Sequence, residues 1–205
     1  MFDEKIDVDA YNIENVDVYG IMESCIAAGL PMQSSFNGED FRLKLWNEDT
    51  PENRDIQRMN RLANTPIGSG HDNALSGIIV QFNVTASQVW WLQDSRYHFI
   101  QIISSMSKMH KLSDMLKLGT VKFIGVDQRM IDLLMVFVEE GMSNRQLVYN
   151  VPTGTCLTAR VSTNYRQLKT IYAQRENHLL PEWRIFCDWL ETLPHSNWIT
   201  QQCYQ

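Results

Sequence analysis

Two arginines lie at positions where helical periodicity predicts apolar side chains. Arg175 stands between Ile171 and Leu179 on the apolar stripe of the C-terminal helical segment, one turn from each. Arg96 stands on the apolar stripe of an earlier helical segment that begins near Val89. A guanidinium cannot lose its charge, so an arginine that faces inward needs an anion or several hydrogen-bond acceptors. We therefore treat both arginines as candidate ligands of an anion.

The segment around Arg96 is rich in side chains that bind anions. Residues 94–110, DSRYHFIQIISSMSKMH, surround one short apolar run with hydrogen-bonding groups. Those that we expect to line a pocket are His98, Ser104, Ser105, Ser107 and Lys108. The alternative is that each arginine pairs with a buried carboxylate or extends its charge into solvent. Two such arginines favour one shared pocket for phosphate, whose oxygens a guanidinium binds in bidentate fashion.

Other constellations in the sequence are weaker. His71, Asp72, His98 and His110 lack the HxH or HExxH spacing of metal motifs, so we predict no metal site. The loop GSGH contains neither a GxGxxG pattern nor a phosphate-binding lysine motif. No GxSxG elbow surrounds any serine, so we predict no catalytic side-chain nucleophile.

Composition limits the classes of protein and partner. A chain of 205 residues, 44% hydrophobic and 20% charged, is long enough to bury a substantial core, and we predict one domain over residues 1–205. The net charge of −6 argues against a nucleic-acid polymer as partner, but not against a small anion. No apolar run approaches the ~20 residues that cross a bilayer, so we predict no membrane partner. Four scattered cysteines and the acidic start MFDEKIDVDA favour the cytoplasm.

Periodicity predicts three extended regions. Residues 78–84 alternate apolar and polar side chains, which is typical of a strand with one buried face. A short strand is predicted at 41–45, and residues 145–161 read as extended structure broken by a Pro-Thr-Gly turn. Residues 1–14 are polar, and we expect them to be loosely ordered.

Helices are predicted between these regions. One begins near Glu14 and ends at Gly29, with Pro31 just beyond, and one runs from about Pro51, capped by Thr50, to Ala63. Further helices are predicted after a cap at Thr85 or Ser87, between Asp127 and Gly141, and over the C-terminal segment, with a kink or a new start at Pro181. Strands and helices do not alternate regularly, so we predict an α+β fold with a mixed or antiparallel sheet flanked by helices.

Two segments carry a family resemblance. GHDNALSGIIVQFNVTASQVWWLQDSRYHF, which begins at Gly70-His71, resembles the central segment of flavin-dependent thymidylate synthases. In that family a Gly-His leads into a strand, and a helix then carries Gln-x-x-Arg-His-Arg, which Gln93 and Arg96 match in order. The segment from Asn164 to Arg175 is similar to the family's closing helix, where an asparagine precedes an arginine by three turns.

The sequence departs from the family pattern within the arginine motif. Arg-His-Arg reads Arg96-Tyr97-His98 here, and the serine and arginine that follow become Met106 and Lys108 in a gapless alignment. A one-residue insertion restores a serine, Ser107, but loses the basic residue after it. These departures concern the residues that contact the flavin in the family.

The resemblance implies a reaction and a set of roles. The implied activity is FAD-dependent methylation of dUMP, with electrons from reduced FAD, carbon from methylenetetrahydrofolate, and NADPH as a further co-substrate. The implied fold is flavin-dependent thymidylate synthase-like, with a long C-terminal helix, in a homotetramer. Nucleotide contacts fall on Gln93, Arg96, Arg175 and the serines and lysine named above. Flavin contacts fall on His71, Arg96, Tyr97, His98 and Asn164.

Two other functions compete with this enzyme. The altered arginine motif motivates a protein that keeps the fold and binds a nucleotide or a nucleotide-derived signal, but has lost the flavin chemistry. A structural or interaction protein, whose inward arginines satisfy internal carboxylates, is the third hypothesis. Stoichiometric binding of FAD separates the first hypothesis from the second, and stabilisation by any nucleotide separates both from the third.

Overall fold

The protein has an α+β architecture with one antiparallel sheet. A computed structural model describes residues 6–45 and 54–200. The strands are β1 Asn12–Tyr19, β2 Ile79–Ser87, β3 Gln101–Ser105 and β4 Cys156–Asn164. The sheet order is β1-β2-β4-β3. The predicted fold class is thus confirmed.

Ten α-helices lie within the described residues. They are α1 Ile21–Ala27, α2 Gly38–Leu45, α3 Arg54–Ala63, α4 Gln88–Asp94, α5 Lys108–Lys117, α6 Gln128–Glu139, α7 Asn144–Leu147, α8 Tyr165–Arg175, α9 Pro181–Leu190 and α10 Asn197–Thr200. Two short 3-10 helices, Leu30–Met32 and Asn73–Gly77, lie in the connections.

The described chain divides into two compact units. The first comprises the described parts of Met1–Val16, Phe82–Val161 and Leu179–Glu182. The second comprises the described parts of Asp17–Gln81, Ser162–His178 and Trp183–Gln205. The single domain that we predict over residues 1–205 stays a prediction.

Each unit has its own apolar packing. In the first unit a buried cluster is formed by residues of α5, α6, α7 and the loop after α5: Leu112, Leu116, Val121, Val138 and Leu147. In the second unit, the Trp183 and Phe186 rings of α9 meet edge to face with centroids 5.7 Å apart. Trp198 of α10 is buried there, and its indole Nε1–H donates to Asn60 Oδ1 of α3 at 2.5 Å. The indole proton is thereby satisfied inside an apolar environment.

The alternation over residues 78–84 predicts the buried face of β2 correctly. Ile78, Val80, Phe82 and Val84 are all fully buried, and the residues between them are half-buried. Of the two predicted caps for the next helix, Thr85 and Ser87, the structure shows Ser87 as the N-cap of α4. Ser87 Oγ accepts from Trp90 N–H at 3.2 Å. α6 is also confirmed, with Asp127 as its N-cap and Gly141 at φ 81° just beyond its end.

The N-terminal predictions are wrong in two places. Residues 12–14, which we expect to be loosely ordered, begin β1, and the rest of β1 occupies the first part of the predicted helix. Gly20 at φ +80° separates β1 from α1 in a conformation that favours glycine. The predicted strand at 41–45 lies in α2, whose first turn carries Glu39 and Asp40 and is capped by Asn37 Oδ1 at 3.0 Å from Glu39 N. This capping overrides the short alternation.

The C-terminal helical region consists of α8 and α9, not one continuous helix. α9 begins at Pro181, which agrees with the predicted new start, and Leu179 in the connection is 92% exposed, so the predicted stripe is wrong there. The region 145–161 is extended only in its second half, because α7 occupies the start. Thr50 and Pro51 lie outside the described residues, whereas the end of α3 at Ala63 is as predicted.

Candidate functional site

His71 lines a cavity in the second unit. The cavity has a volume of about 700 Å³, which is within the range of ligand pockets. Its lining residues come from α1, α3 and the loops beside them: Ala27, Ala28, Pro31, Met32, Arg58, Arg61, Leu62, Gly70, His71, Asn73 and Ala74. We call it the His71 cavity. It combines apolar side chains with two arginines and a histidine, and no carboxylate lines it among the residues that the structure describes.

A buried ion pair fixes the loop that carries His71. Lys169 of α8 is 2% exposed, and its Nζ donates to Asp72 Oδ2 at 3.1 Å and to the carbonyls of Ala63 and Thr65 at 2.7 Å each. Arg166, one turn earlier on α8, donates from Nε to Asp72 Oδ1 at 3.2 Å. The ammonium and carboxylate are thus fully hydrogen-bonded, as buried charges must be. This network holds both ends of the loop against α8.

The arginines of the His71 cavity belong to a stripe that sequence reasoning missed. Arg54, Arg58 and Arg61 recur at i, i+4 and i+7 along α3, beside the buried face formed by Ile56 and Met59. Arg58 Nη1 donates to Asp55 Oδ1 at 2.6 Å, and this pair is partly buried. The spacing was readable from RDIQRMNRLA, but nothing in that segment alone indicates a cavity.

The second unit also contains Asn164 and Arg175, which resemblance assigns to flavin and nucleotide. Asn164 is the N-cap of α8, and its Oδ1 accepts from Gln167 N–H at 3.0 Å. Arg175 ends α8 and is half-buried, with its guanidinium carbon 5.1 Å from the Trp183 ring centroid. That distance is within the range of a cation–π contact. Arg175 is thus half-buried where the sequence predicts an inward side chain, and its ligand role stays a prediction.

Arg96 does not occupy the position that the sequence predicts. α4 ends at Asp94, and two hydrogen bonds form the turn that follows. Arg96 N–H donates to Gln93 O at 3.3 Å, and Tyr97 N–H donates to Asp94 O at 2.9 Å. Arg96 is therefore exposed in a turn and not inward on a helix, and His98 follows at φ 53°. Within the described part of the chain, Arg96 makes no ion pair.

The other predicted residues of this set also lie in the first unit. Gln93 is half-buried on α4, and the Tyr97 ring packs 5.6 Å from that of Phe99. Ser104 and Ser105 are exposed on β3, and Ser107 is exposed at the N-cap of α5. Lys108 begins α5 half-buried, and desolvation lowers its pKa. Arg96 and Arg175 belong to different units, so the shared pocket stays a prediction.

Two buried carboxylates in the first unit differ in their partners. Glu182 Oε1 accepts from Ser87 Oγ–H at 2.5 Å, so that Ser87 caps α4 and binds Glu182 with the same hydroxyl. Asp94 is 3% exposed, and its Oδ1 has no hydrogen-bond partner among the described residues. Burial raises the pKa of Asp94 to about 7.

The described residues contain no group of three or more histidine, cysteine or acidic side chains arranged to hold a metal ion. Across residues 6–45 and 54–200, no helix has the length and hydrophobicity needed to cross a membrane.

The chain has a ThyX-like fold, the fold of flavin-dependent thymidylate synthases. No protein-family model matches the sequence, and no curated protein matches it.

The similar solved structures are nucleotide-binding enzymes. The chain is similar to thymidylate synthase X (ThyX) from Helicobacter pylori crystallised with FAD and dUMP, with a TM-score of 0.68 and 16% identity over 93% of this chain and 96% of that one. A second structure of that protein with FAD and dUMP has a TM-score of 0.67 and 16% identity over 91% of this chain and 97% of that one. A UMP/dUMP methylase, PolB from Streptomyces cacaoi, bound with 5-Br dUMP, has a TM-score of 0.62 and 12% identity over 94% of this chain and 91% of that one. At these identities the likeness establishes the fold.

Proposed function

We propose that this protein is a flavin-dependent thymidylate synthase-like enzyme that binds FAD and dUMP and transfers a one-carbon unit to the pyrimidine. The observation that carries the proposal is the His71 cavity, whose described lining contains two arginines and no carboxylate, in a fold shared with proteins crystallised with FAD and dUMP. Phosphate-bearing ligands suit such a cavity because arginines bind their oxygens directly.

The residues present fit a flavin nucleotide. His71 and Asn73 supply polar contacts at the His71 cavity, and its alanines, leucine and methionine supply apolar surface for a planar ring. FAD, when bound and reduced, supplies the electrons for the reaction, and methylenetetrahydrofolate supplies the carbon. The protein then has to bind and orient the cofactor and the nucleotide and to exclude water, which agrees with a site that has no predicted nucleophile.

The nucleotide role of Arg175 is part of the proposal. Its guanidinium is held beside Trp183 and so is pre-organised for a phosphate or a pyrimidine carbonyl. In the first unit, exposed Arg96 with Gln93, Ser104, Ser105 and Lys108 supplies a second set of anion-binding side chains. We propose that this set, with Ser107, also binds a nucleotide.

We further propose that the protein assembles into a homo-oligomer, as the resemblance implies. β3 is an edge strand of the sheet, and all five of its residues are exposed. Ile102 and Ile103 are 51% and 54% exposed although neighbouring residues of a strand face opposite ways. An exposed apolar edge strand favours pairing with another chain. Light scattering coupled to size-exclusion chromatography tests this, with a tetramer as the expected result.

A binding protein without turnover is the second candidate function. It is favoured by the motif Arg96-Tyr97-His98, in which the Tyr97 ring packs on Phe99 and His98 has a left-handed backbone conformation. The test of the proposed reaction supplies dUMP, NADPH, FAD and methylenetetrahydrofolate with a labelled carbon. Labelled dTMP is the expected product. Binding of dUMP without FAD binding or dTMP formation supports the second candidate.

A further inference from the structure

α3 presents a cationic wall to the His71 cavity. Arg58 and Arg61 lie on the same side of α3, and both line the cavity. The chain carries a net charge of −6, so this concentration of positive charge is local. His71 lines the same cavity as the two arginines, and the lining has no carboxylate within residues 6–45 and 54–200, so the cavity favours an anion.

The two arginines differ in how they are held. Arg58 is oriented by Asp55, because Asp55 Oδ1 accepts a hydrogen bond from Arg58 Nη1 at 2.6 Å. The Arg61 side chain makes no hydrogen bond or ion pair with any residue that the structure describes. Asp55 neutralises part of the charge of Arg58, whereas no carboxylate of the described residues pairs with Arg61. An anion in the cavity therefore gains most from Arg61.

Gly29 makes room for the Arg58 guanidinium. A Cβ at position 29 would lie 2.5 Å from Arg58 Nη1 and 2.9 Å from Arg58 Cζ. The backbone of Gly29, at φ −89°, is one that any residue adopts, so the chain conformation does not require glycine here. The Arg58 guanidinium occupies the space that a side chain would fill. An alanine at this position must displace that guanidinium.

From these three observations we infer that Arg58 and Arg61 bind the phosphate groups of the ligand in the His71 cavity. The inference rests on the proposed function for the source of the phosphate, which is FAD or dUMP, but not for the anion site itself. No family resemblance assigns either arginine. The ligand class is a phosphorylated compound whose anionic part lies against α3 and whose apolar part lies against Ala27, Ala28 and Met32.

Inorganic pyrophosphate is the probe that tests the anion site without the proposed function. Titration calorimetry of the full chain at low salt is expected to show binding, since each charged hydrogen bond contributes enough for roughly 10–100-fold in affinity. Arg61→Gln is expected to weaken pyrophosphate binding by about 10–100-fold. Gly29→Ala is expected to weaken it as well, although it changes no charge.

Arg54→Gln is the matched control. Arg54 lies on the same helix, one turn before Arg58. It is exposed and is not among the residues that line the cavity. The pyrophosphate affinity of the variant is expected to stay within about twofold of wild type, because the long-range charge term is screened. Equal losses for Arg54→Gln and Arg61→Gln overturn the inference, as does a wild-type protein that binds no pyrophosphate.

Titrations with FAD and with dUMP identify the source of the phosphate. Selective loss of FAD affinity in Arg61→Gln assigns the site to the flavin diphosphate, and selective loss of dUMP affinity assigns it to the nucleotide. Pyrophosphate binding that depends on Arg61, in a protein that binds neither FAD nor dUMP, supports the inference and contradicts the proposed function. FAD and dUMP binding that is unchanged in both Arg58→Gln and Arg61→Gln overturns the inference and leaves the proposed function standing.

Discussion

Lys169 Nζ lies 3.1 Å from Asp72 Oδ2, and both side chains are 2% exposed. The pair joins α8 to the residue that follows His71, so the same contact stabilises the second unit and positions one wall of the cavity. A single side chain thus links the core of this unit to its candidate site. The sequence predicts neither the pairing nor its burial.

Replacement of Lys169 by methionine is expected to lower the free energy of unfolding by about 3–5 kcal/mol. The substitution leaves the buried Asp72 with Arg166 as its remaining charged partner. It also leaves the carbonyls of Ala63 and Thr65 without their hydrogen-bond donor. Urea denaturation measures the change. Lys117→Met, at an exposed lysine of α5, is the control and is expected to stay within about 0.5 kcal/mol. Similar values for the two variants would contradict the account of this network.

Asp94→Asn is expected to stabilise the protein at high pH. The pKa of Asp94 is about 7 in the folded state and 3.8 as its ordinary value, so the folded protein binds the proton more tightly. Its contribution is therefore fully favourable below pH 4 and is lost as the pH rises to about 7. Thermal unfolding at pH 5 and pH 8 is the measurement. The difference in melting temperature between the variant and wild type is expected to be more favourable to the variant at pH 8 than at pH 5, and a pH-independent difference would count against a buried Asp94 carboxyl with a raised pKa.

Ser87→Ala removes two interactions with one atom. The α4 cap is worth about 1 kcal/mol, and the hydrogen bond to the buried Glu182 carboxylate about 1.5–3 kcal/mol, so we expect a loss of roughly 2–4 kcal/mol. Ser95→Ala, at an exposed serine just after α4, is the control and is expected to cost less than about 0.5 kcal/mol. Chemical denaturation that gives equal losses for both variants would rule out this double role.

Arg175→Ala is expected to abolish dUMP binding if Arg175 contacts the nucleotide as proposed. Arg175→Lys retains the charge but not the planar guanidinium, so we expect intermediate affinity. Arg184→Ala, at an exposed arginine of α9, is the control for loss of a positive charge. Calorimetric titration with dUMP distinguishes the three, and wild-type affinity in Arg175→Ala would remove this residue from the site.

Strong local signals were sufficient for part of the fold. The alternation that ends at Val84 and the caps at Ser87 and Asp127 are encoded within a few residues, and the structure confirms each of them. The helix predicted through Arg96 fails because periodicity continues past Asp94, whereas the backbone turns there. Periodicity alone does not contain the turn bonds that end a helix.

The candidate site was predictable only in part for a related reason. The resemblance singles out His71 because Gly-His is a compact motif, and the structure places it in a cavity. Arg58 and Arg61 lie 13 and 10 residues before His71, and their stripe indicates a site only when α3 packs beside the His71 loop. The Lys169–Asp72 pair is separated by 97 residues and requires the tertiary fold. Long-range pairs of this kind have no local signature.

The most direct test of the proposed function is the visible absorption spectrum of the protein after incubation with FAD and desalting. A retained flavin spectrum with close to one FAD per chain is the predicted result, and His71→Ala is expected to reduce the retained fraction. A colourless protein that binds dUMP after the same treatment would contradict the flavin enzyme and leave a nucleotide-binding protein on a ThyX-like fold.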